Sequence, residues 1–421
     1  MIHGKRARIV TLGCRLNHAD TALLTARLED SGYTLCDDPA LPVDLILVNT
    51  CAVTAEAEAK SRRQILRLRR EHPEAQIIAA GCAVEVNSKA LQDAGAALTL
   101  TNPDKKGDFF NPSGIKSREG MVENFCEKSF SSFPFRSRAF IKVQEGCDNF
   151  CSYCIVPVVR GASRSRDLEE VIADCRKNIA AGFPEIVLTG VNTCNYFDHG
   201  CDLAGLIEKV SAVEGDFRIR LSSTEPHPGD LSIPELISGN PKVCRFLHLS
   251  MQHGSDRILK LMNRRYDAGE FAEFALKCKK IVPDIHLGTD FIVGFPGETE
   301  KDFSEAMEVV KSIGFANIHC FAYSPRPGTA AASMPGRVHP DAVKERMAEL
   351  RKIAAGSARD FAVSQYGKSA PVIFERCVKG CAHGWSDHYL AVSVPENSVT
   401  IGRITEVKLS AENIVSGADL P

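Results

Sequence analysis

Three short, β-rich apolar runs in the first hundred residues each lead into a cysteine, with helical stretches between them. Arg8-Ile-Val-Thr-Leu precedes Gly13-Cys14, Leu45-Ile-Leu-Val precedes Asn49-Thr50-Cys51, and Gln76-Ile-Ile-Ala-Ala precedes Gly81-Cys82. Asp20 to Ser31, stopped by Gly32, and Glu56 to Glu71 read as the intervening helices. Strands alternating with helices point to a parallel α/β sheet covered on its faces. Ligands of such sheets collect just past the carboxyl ends of the strands, so Cys14, Cys51 and Cys82 are expected to converge. The glycines before Cys14 and Cys82 would let the backbone approach a bulky ligand. Three ordinary buried thiols are the plainer alternative. Cys36 also ends a plausible strand, but Asp37-Asp38-Pro39 follow at once, and it reads as structural.

A second cysteine group has a different form. Cys147, Cys151 and Cys154 stand in GCDNFCSYCIVP with the spacing C-x3-C-x2-C. Three thiolates on one loop can hold three irons of a [4Fe–4S] cube and leave the fourth free to bind a small molecule. Zinc is the weaker reading, because a structural zinc site takes four ligands and no fourth His or Cys lies close by in sequence.

The rest of the chain sets the context. At 421 residues and 44% apolar content there is enough chain for two or three cores. No apolar run approaches the roughly 20 residues of a membrane span, and no secretory signal is visible at the N-terminus. A cytoplasmic protein is expected, in which sixteen cysteines act as ligands or free thiols rather than as a disulfide framework. With 51 basic against 53 acidic residues, any nucleic-acid site has to be local.

Residues 1–115 read as the first domain and 116–136 as a linker. From Ala139-Phe-Ile-Lys-Val onward roughly six βα units, with strands near Glu185, Phe217, Phe246, Leu287 and Asn317, fit a partial or full barrel over 137–361. An amphipathic stretch from Pro340 to about Gln365 follows. Short strands at Pro371, His388 and Ile404, separated by Gly380, Gly384 and Gly402, then suggest a small all-β barrel over 362–421.

Together the two cysteine groups and the strings TLGCRLN, NTCAVT, GCDNFCSYCIVPVVRG, LTGVN, RLSSTEP, HLSMQHGSD, MNRRY, TDFIVGFPGE and YSPRPGT resemble the radical S-adenosylmethionine methylthiotransferases along essentially the whole chain. The resemblance implies a flavodoxin- or Rossmann-like N-terminal domain holding an auxiliary [4Fe–4S] cluster at Cys14, Cys51 and Cys82. It further implies a radical barrel with a second cluster at Cys147, Cys151 and Cys154, and a TRAM-type β-barrel that binds RNA. S-adenosylmethionine would chelate the open iron of the barrel cluster and yield a 5′-deoxyadenosyl radical, while a second molecule methylates the sulfur to be inserted. The cofactor does the hard chemistry and the protein positions it.

By the same resemblance Tyr153, Thr189, Gly190, Ser222, Ser223, Gln252, Ile292 and Gly294 would contact S-adenosylmethionine, each with ordinary packing as the alternative. No side-chain general base is evident, and His18, His227 and His253 read as structural or supporting. Cys194 departs from the pattern and is expected to be a free thiol.

The substrate is expected to be tRNA, presented as an unstacked base of the anticodon stem-loop. Lys60, Arg62, Arg63, Arg67 and Arg70, together with Arg69, crowd one helix just after Cys51. They form either a phosphate-contacting face or a plain solvated one. Arg160, Arg164, Arg166, Arg264 and Arg265 could extend that face. From about Ala362 five basic and six acidic residues give no strong footprint for RNA. The strings TLGCRLN, NTCAVTAEAEAKSRRQ and LTGVNTCNY look closest to the branch acting on N6-threonylcarbamoyladenosine. Branches acting on N6-isopentenyladenosine or a ribosomal-protein aspartate remain open, as does an idle iron–sulfur RNA-binding protein. An external electron donor, a sulfur source and a monomeric state complete the expectation.

Overall fold

The computed structural model describes residues 5–38, 41–106, 110–111, 114–115, 137–227 and 229–415. The expected linker 116–136 lies outside the described residues. In the N-terminal part β1 (Arg6–Thr11), α1 (Arg15–Asp30), β2 (Thr34–Leu35), β3 (Leu45–Thr50), α2 (Ala55–Glu71), β4 (Gln76–Gly81), α3 (Cys82–Asp93) and β5 (Leu98–Leu100) alternate. The strands form a parallel sheet of order β2-β1-β3-β4-β5, the flavodoxin-like winding. β3 is buried throughout, as a central strand covered on both faces must be. Because β1, β3 and β4 are neighbours about 4.8 Å apart, their ends bring Cys14, Cys51 and Cys82 side by side. α1 begins at Arg15 with Cys14 as its N-cap, earlier than the expected Asp20. Asp20 does not cap the helix; it is buried among cations.

The central part contributes β6 (Arg138–Lys142), the short α4 (Val156–Arg160), β7 (Glu185–Thr189), β8 (Arg218–Leu221), β9 (Phe246–Leu249), β10 (His286–Val293), β11 (Asn317–Ala322) and the long α5 (Pro340–Ser364). The strands pair in parallel as β8-β7-β6 and β9-β10-β11, and a bridge between Ile219 and Val243 joins the two sets. The result is an open six-stranded barrel with β6 and β11 at its ends. The N-terminal domain meets both ends. At β6, Lys142 Nζ donates to Asp20 Oδ1 of α1 at 2.8 Å. Just beyond β11, Ser324 Oγ accepts from Ala55 N at 3.0 Å, and Arg326 pairs with Glu58 of α2. Ala19 and Ala22 of α1 also join the barrel's apolar core. The gap in the barrel is thus spanned by the domain that carries the other cysteines.

The C-terminal strands β12 (Ser369–Val378), β13 (Cys381–Ser386), β14 (Ala391–Pro395), β15 (Ile404–Lys408) and β16 (Ile414–Val415) form an antiparallel sheet of order β15-β12-β13-β14-β16. Two strand expectations need correction. The strand expected from His388 starts at Ala391, because Tyr389 sits in a turn at φ +59. β13 escaped notice because Gly384 reads as a separator. It lies inside the strand, opposite a register shift in β12, where a Cβ would come within 2.2 Å of the Ile373 carbonyl oxygen. The glycine therefore marks a close strand approach and not a turn.

A buried clasp fixes this sheet beneath the barrel. Glu185 accepts from Arg218 Nε at 2.6 Å and Arg220 Nε at 2.9 Å. The same guanidinium groups donate to the carbonyls of Pro371, Trp385, Ser386 and Asp387. Burial alone would raise the Glu185 carboxyl, but Arg220 and Arg218 overcome it and hold it below the usual range. A depressed carboxylate stabilises above its unfolded value of about 4.3 and loses that contribution only as pH falls through the folded value. The clasp should therefore survive mild acid. Glu185→Gln leaves two buried guanidinium groups without their anion and is expected to cost about 3–5 kcal/mol, measured by urea unfolding at neutral pH. A loss under about 1 kcal/mol would contradict this role.

Candidate functional site

The loop carrying Cys147, Cys151 and Cys154 follows β6 at the carboxyl end of the barrel, where barrel chemistry is placed. Its shape depends on close backbone packing. Gly146 has φ +74, and a Cβ there would lie 1.8 Å from the Ala162 carbonyl oxygen. Cys147 N donates to Gly161 O, Ser152 N to Met262 O, and Asn263 Nδ2 to Phe150 O. Phe150 itself is held at φ +48, a strained choice for an aromatic residue and typical of functional loops. Burial pushes the Cys154 thiol up to about 12 and raises Cys147, with the neighbouring cysteines adding to both. Three sulfurs close enough to oppose each other's ionisation are what a shared cation would exploit.

Arg264 attends this trio. Its Nη1 lies 3.3 Å from Cys151 Sγ, while Nη2 contacts Glu225 Oε1 at 2.8 Å and Ser250 O at 3.0 Å. Glu225 also accepts from Asn149 and from Asn192, the latter at 2.8 Å. Gln144 Oε1 receives the backbone N–H groups of Val191 and Asn192, and its amide donates to Gly146 O and Ser163 Oγ. The loops after β6 and β7 are thereby locked together.

A cavity of about 270 Å³ opens over the trio, close to the lower bound of the roughly 300–1,000 Å³ of small-molecule sites. All three cysteines line it, with Tyr153, Ser223, Gln252 and Ile292. Gln252 is at φ +67. Thr189, Gly190, Ser222 and Gly294 are not among the lining residues. Thr189 and Ser222 are buried. A Cβ at Gly190 would press on Gln144, and one at Gly294 would meet Val343 at 2.6 Å. Asn149, Asn192, Glu225 and Asp290, which the sequence does not single out, line the cavity, as does Arg264, which the sequence suggests for RNA. Asp290 lies 3.1 Å from both His248 Nε2 and His319 Nδ1, residues that meet only through strand register.

The cavity is also lined by Val53 and Thr54, directly after Cys51. The second trio is as tightly built. Gly13 has φ +98, and a Cβ there would approach Cys51 Cβ to 2.6 Å and its sulfur to 2.9 Å. Burial raises the Cys51 thiol to about 11, and Cys14 and Cys82 add to the rise. Asn102 Nδ2 lies 3.8 Å from Cys82 Sγ. Two sets of three soft thiol donors, each beside glycines at positive φ, suit iron–sulfur clusters.

Lys60, Arg62, Arg63, Arg67, Arg69 and Arg70 are exposed on α2, whose first turn touches Ser324 at the cavity rim. Arg160, Arg166 and Arg264 are not available to a partner, since they are buried in ion pairs; Arg265 is exposed, and Arg164 is partly so but paired with Glu145. His253 is buried beside Glu298, His18 packs near Phe140, and His227 lines a small separate cavity with Cys194. Cys194 and Cys36 are free thiols.

Residues 141–310 match the radical SAM superfamily, and residues 6–101 match an uncharacterized protein family designated UPF0004. The chain is 34% identical over 403 residues to a threonylcarbamoyladenosine tRNA methylthiotransferase of Chlamydia pneumoniae, covering 96% of this chain and 94% of that one. Its counterpart in Thermotoga maritima is 35% identical, with 98% and 96% covered. A tRNA-2-methylthio-N6-dimethylallyladenosine synthase of Cereibacter sphaeroides is 32% identical over the full length of both chains. Among solved structures, the radical S-adenosylmethionine methyltransferase TsrM of Kitasatospora setae superimposes with a TM-score of 0.57 at 15% identity, covering 78% of this chain and 74% of that one. That likeness speaks to the fold alone.

Gly146→Ala is expected to remove one cluster and spare the other. After anaerobic reconstitution the variant should hold about four fewer iron atoms per chain than the unsubstituted protein, the content of one cube. Undiminished iron would show that the tight turn is dispensable.

Proposed function

We infer that this chain, which belongs to the radical SAM methylthiotransferase family, adds a methylthio group to C2 of N6-threonylcarbamoyladenosine next to the tRNA anticodon, giving 2-methylthio-N6-threonylcarbamoyladenosine. The observation that carries this reading is the single cavity lined by all three cysteines of one trio and by the residues directly after a cysteine of the other. One iron–sulfur cluster with S-adenosylmethionine is what the radical SAM family implies. A second cluster at Cys14, Cys51 and Cys82 is our proposal, supported by the closeness of those thiols.

Cys147, Cys151 and Cys154 would hold the radical cluster, and Tyr153, Ser223, Gln252 and Ile292 would bind S-adenosylmethionine beside it. When bound, these groups supply a carbon-centred radical able to take hydrogen from an unreactive carbon, together with the sulfur that replaces it. The protein supplies position. Arg264 offsets negative charge at Cys151 and is held by Glu225, Ser250 and Tyr266. Val53, Val156, Ile292 and Phe321 give the cavity apolar walls that exclude water from reactive intermediates. The carboxylates among the lining residues, Glu225 and Asp290, are both engaged by neighbours, in keeping with chemistry that needs no side-chain base.

The substrate base would arrive along α2. Its cationic side chains from Lys60 to Arg70 extend over about 15 Å of helix away from the rim, a track suited to a phosphate backbone. The C-terminal sheet is proposed as a TRAM-type module that steadies the tRNA. No helix among the described residues is long and apolar enough to cross a membrane. We place the enzyme in the cytoplasm as a monomer that depends on an external electron donor and a sulfur source.

In tRNA from a deletion strain, mass spectrometry should find N6-threonylcarbamoyladenosine in place of its 2-methylthio derivative. Loss of the 2-methylthio-isopentenyl nucleoside instead would move the chain to the branch of the Cereibacter relative. Arg62→Gln with Arg63→Gln should weaken tRNA binding and flatten the dependence of log K on log salt by about 2. An unchanged slope would mean that α2 is only a solvated face.

A further inference from the structure

α4 follows the radical loop immediately, yet its last two residues do not serve that loop. Arg160 and Val159 are buried against the N-terminal domain. Arg160 Nη2 donates to Asn17 Oδ1 at 2.7 Å. Asn17 Nδ2 in turn donates to the carbonyls of Leu12, at 2.7 Å, and Thr50, at 2.9 Å. These carbonyls belong to the residues leading into Gly13-Cys14 and Cys51. Val159 O accepts from Asn102 Nδ2 at 2.8 Å, and the same nitrogen lies 3.8 Å from Cys82 Sγ. Thr50 Oγ1 closes the ring by donating to Ala80 O and accepting from Ala83 N. Each of the three cysteine loops of the N-terminal domain is therefore tied, through one asparagine, to a helix that belongs to the barrel.

The charges follow the same pattern. Arg160, Lys105 and Lys142 surround Asp20, and Glu145 meets Arg160 and Lys142, so three buried cations stand against two carboxylates. Burial works against the Arg160 charge, but Asp20, then Cys82, Glu145 and Cys14, hold it firmly cationic.

We propose that Arg160, carried by the barrel, is a positioning residue for the auxiliary centre: it aligns the Cys14 and Cys51 loops through Asn17, while the neighbouring Val159 carbonyl holds Asn102 beside Cys82, and it supplies the buried cation that stabilises a reduced, more negative cluster. This rests on the reading that those cysteines hold a cluster. Because α4 belongs to the barrel, the auxiliary site is complete only when the two domains are docked. Cluster potentials respond to net charge and to hydrogen bonds at sulfur, so the sign is determined: removing the cation disfavours the extra electron.

The test uses the full chain with Cys147, Cys151 and Cys154 replaced by alanine, so that only the auxiliary centre gives a signal. In this background Arg160→Gln is expected to shed iron to a chelator at least tenfold faster and to shift the reduction potential, followed by electron paramagnetic resonance, to more negative values. Arg160→Lys should restore part of both. Asn102→Asp removes the donor to Cys82 and adds an anion with Arg160 intact; it should lower the potential in the same direction and keeps the test available if Arg160→Gln does not fold. A background chain that binds no iron would sink the cluster reading itself. An Arg160→Gln variant whose auxiliary cluster keeps the potential and iron-release rate of the background chain would overturn the role proposed for Arg160.

Discussion

The buried ion cluster around Asp20 is the contact on which the rest of the molecule depends. Asp20 lies on α1 of the N-terminal domain, while Lys142 and Arg160 belong to the barrel and Lys105 follows β5, so this carboxylate is the point at which both domains meet. Burial would raise its pKa, yet Lys105, Lys142 and Arg160 hold it well below the usual value. Such networks contribute little net stability relative to apolar packing, but leaving one member unpaired is costly. Their effect here is specificity of docking. A domain displaced by one helical turn would take Lys142 and Arg160 away from Asp20 and leave that carboxylate with Lys105 alone, so the residues after Cys51 reach the cavity over the Cys147 trio in one arrangement.

This docking explains the open barrel. Six strands leave a gap between β6 and β11, and exposed strand ends of that kind need cover. α1 covers one side through Asp20 and Lys142, and the start of α2 covers the other through Ala55, Glu58, Ser324 and Arg326. The residues just after Cys51 are carried to the cavity by the same contact. The domain that closes the barrel is thus also the one that brings the second set of thiols, and α2 leaves the rim bearing its row of exposed cations.

Much of this was legible in the sequence, for identifiable reasons. Strand-end cysteines could be placed because parallel α/β order forces successive strand ends onto one edge, and the C-x3-C-x2-C loop could be placed because it directly follows a strand. The barrel strands from Arg138 to Ala322 follow their apolar runs. What escaped notice depends on contacts distant in sequence. Arg160 looks like a candidate for RNA until Asn17 and Asp20, some 140 residues away, bury it. Asp290 becomes a cavity residue only because register sets it between His248 and His319. Gly384 carries the same letter as a turn glycine, and only the Ile373 carbonyl that a Cβ would strike reveals its purpose.

The proposed activity needs two metal centres opening toward one cavity across a docked interface. Anaerobic crystals of the reconstituted chain, measured at the iron absorption edge, test this most directly. The account requires two separate anomalous peaks, one within bonding distance of Cys14, Cys51 and Cys82 and the other of Cys147, Cys151 and Cys154, both bordering the space between Val53 and Tyr153. A single peak, or iron held by any other set of cysteines, would contradict it.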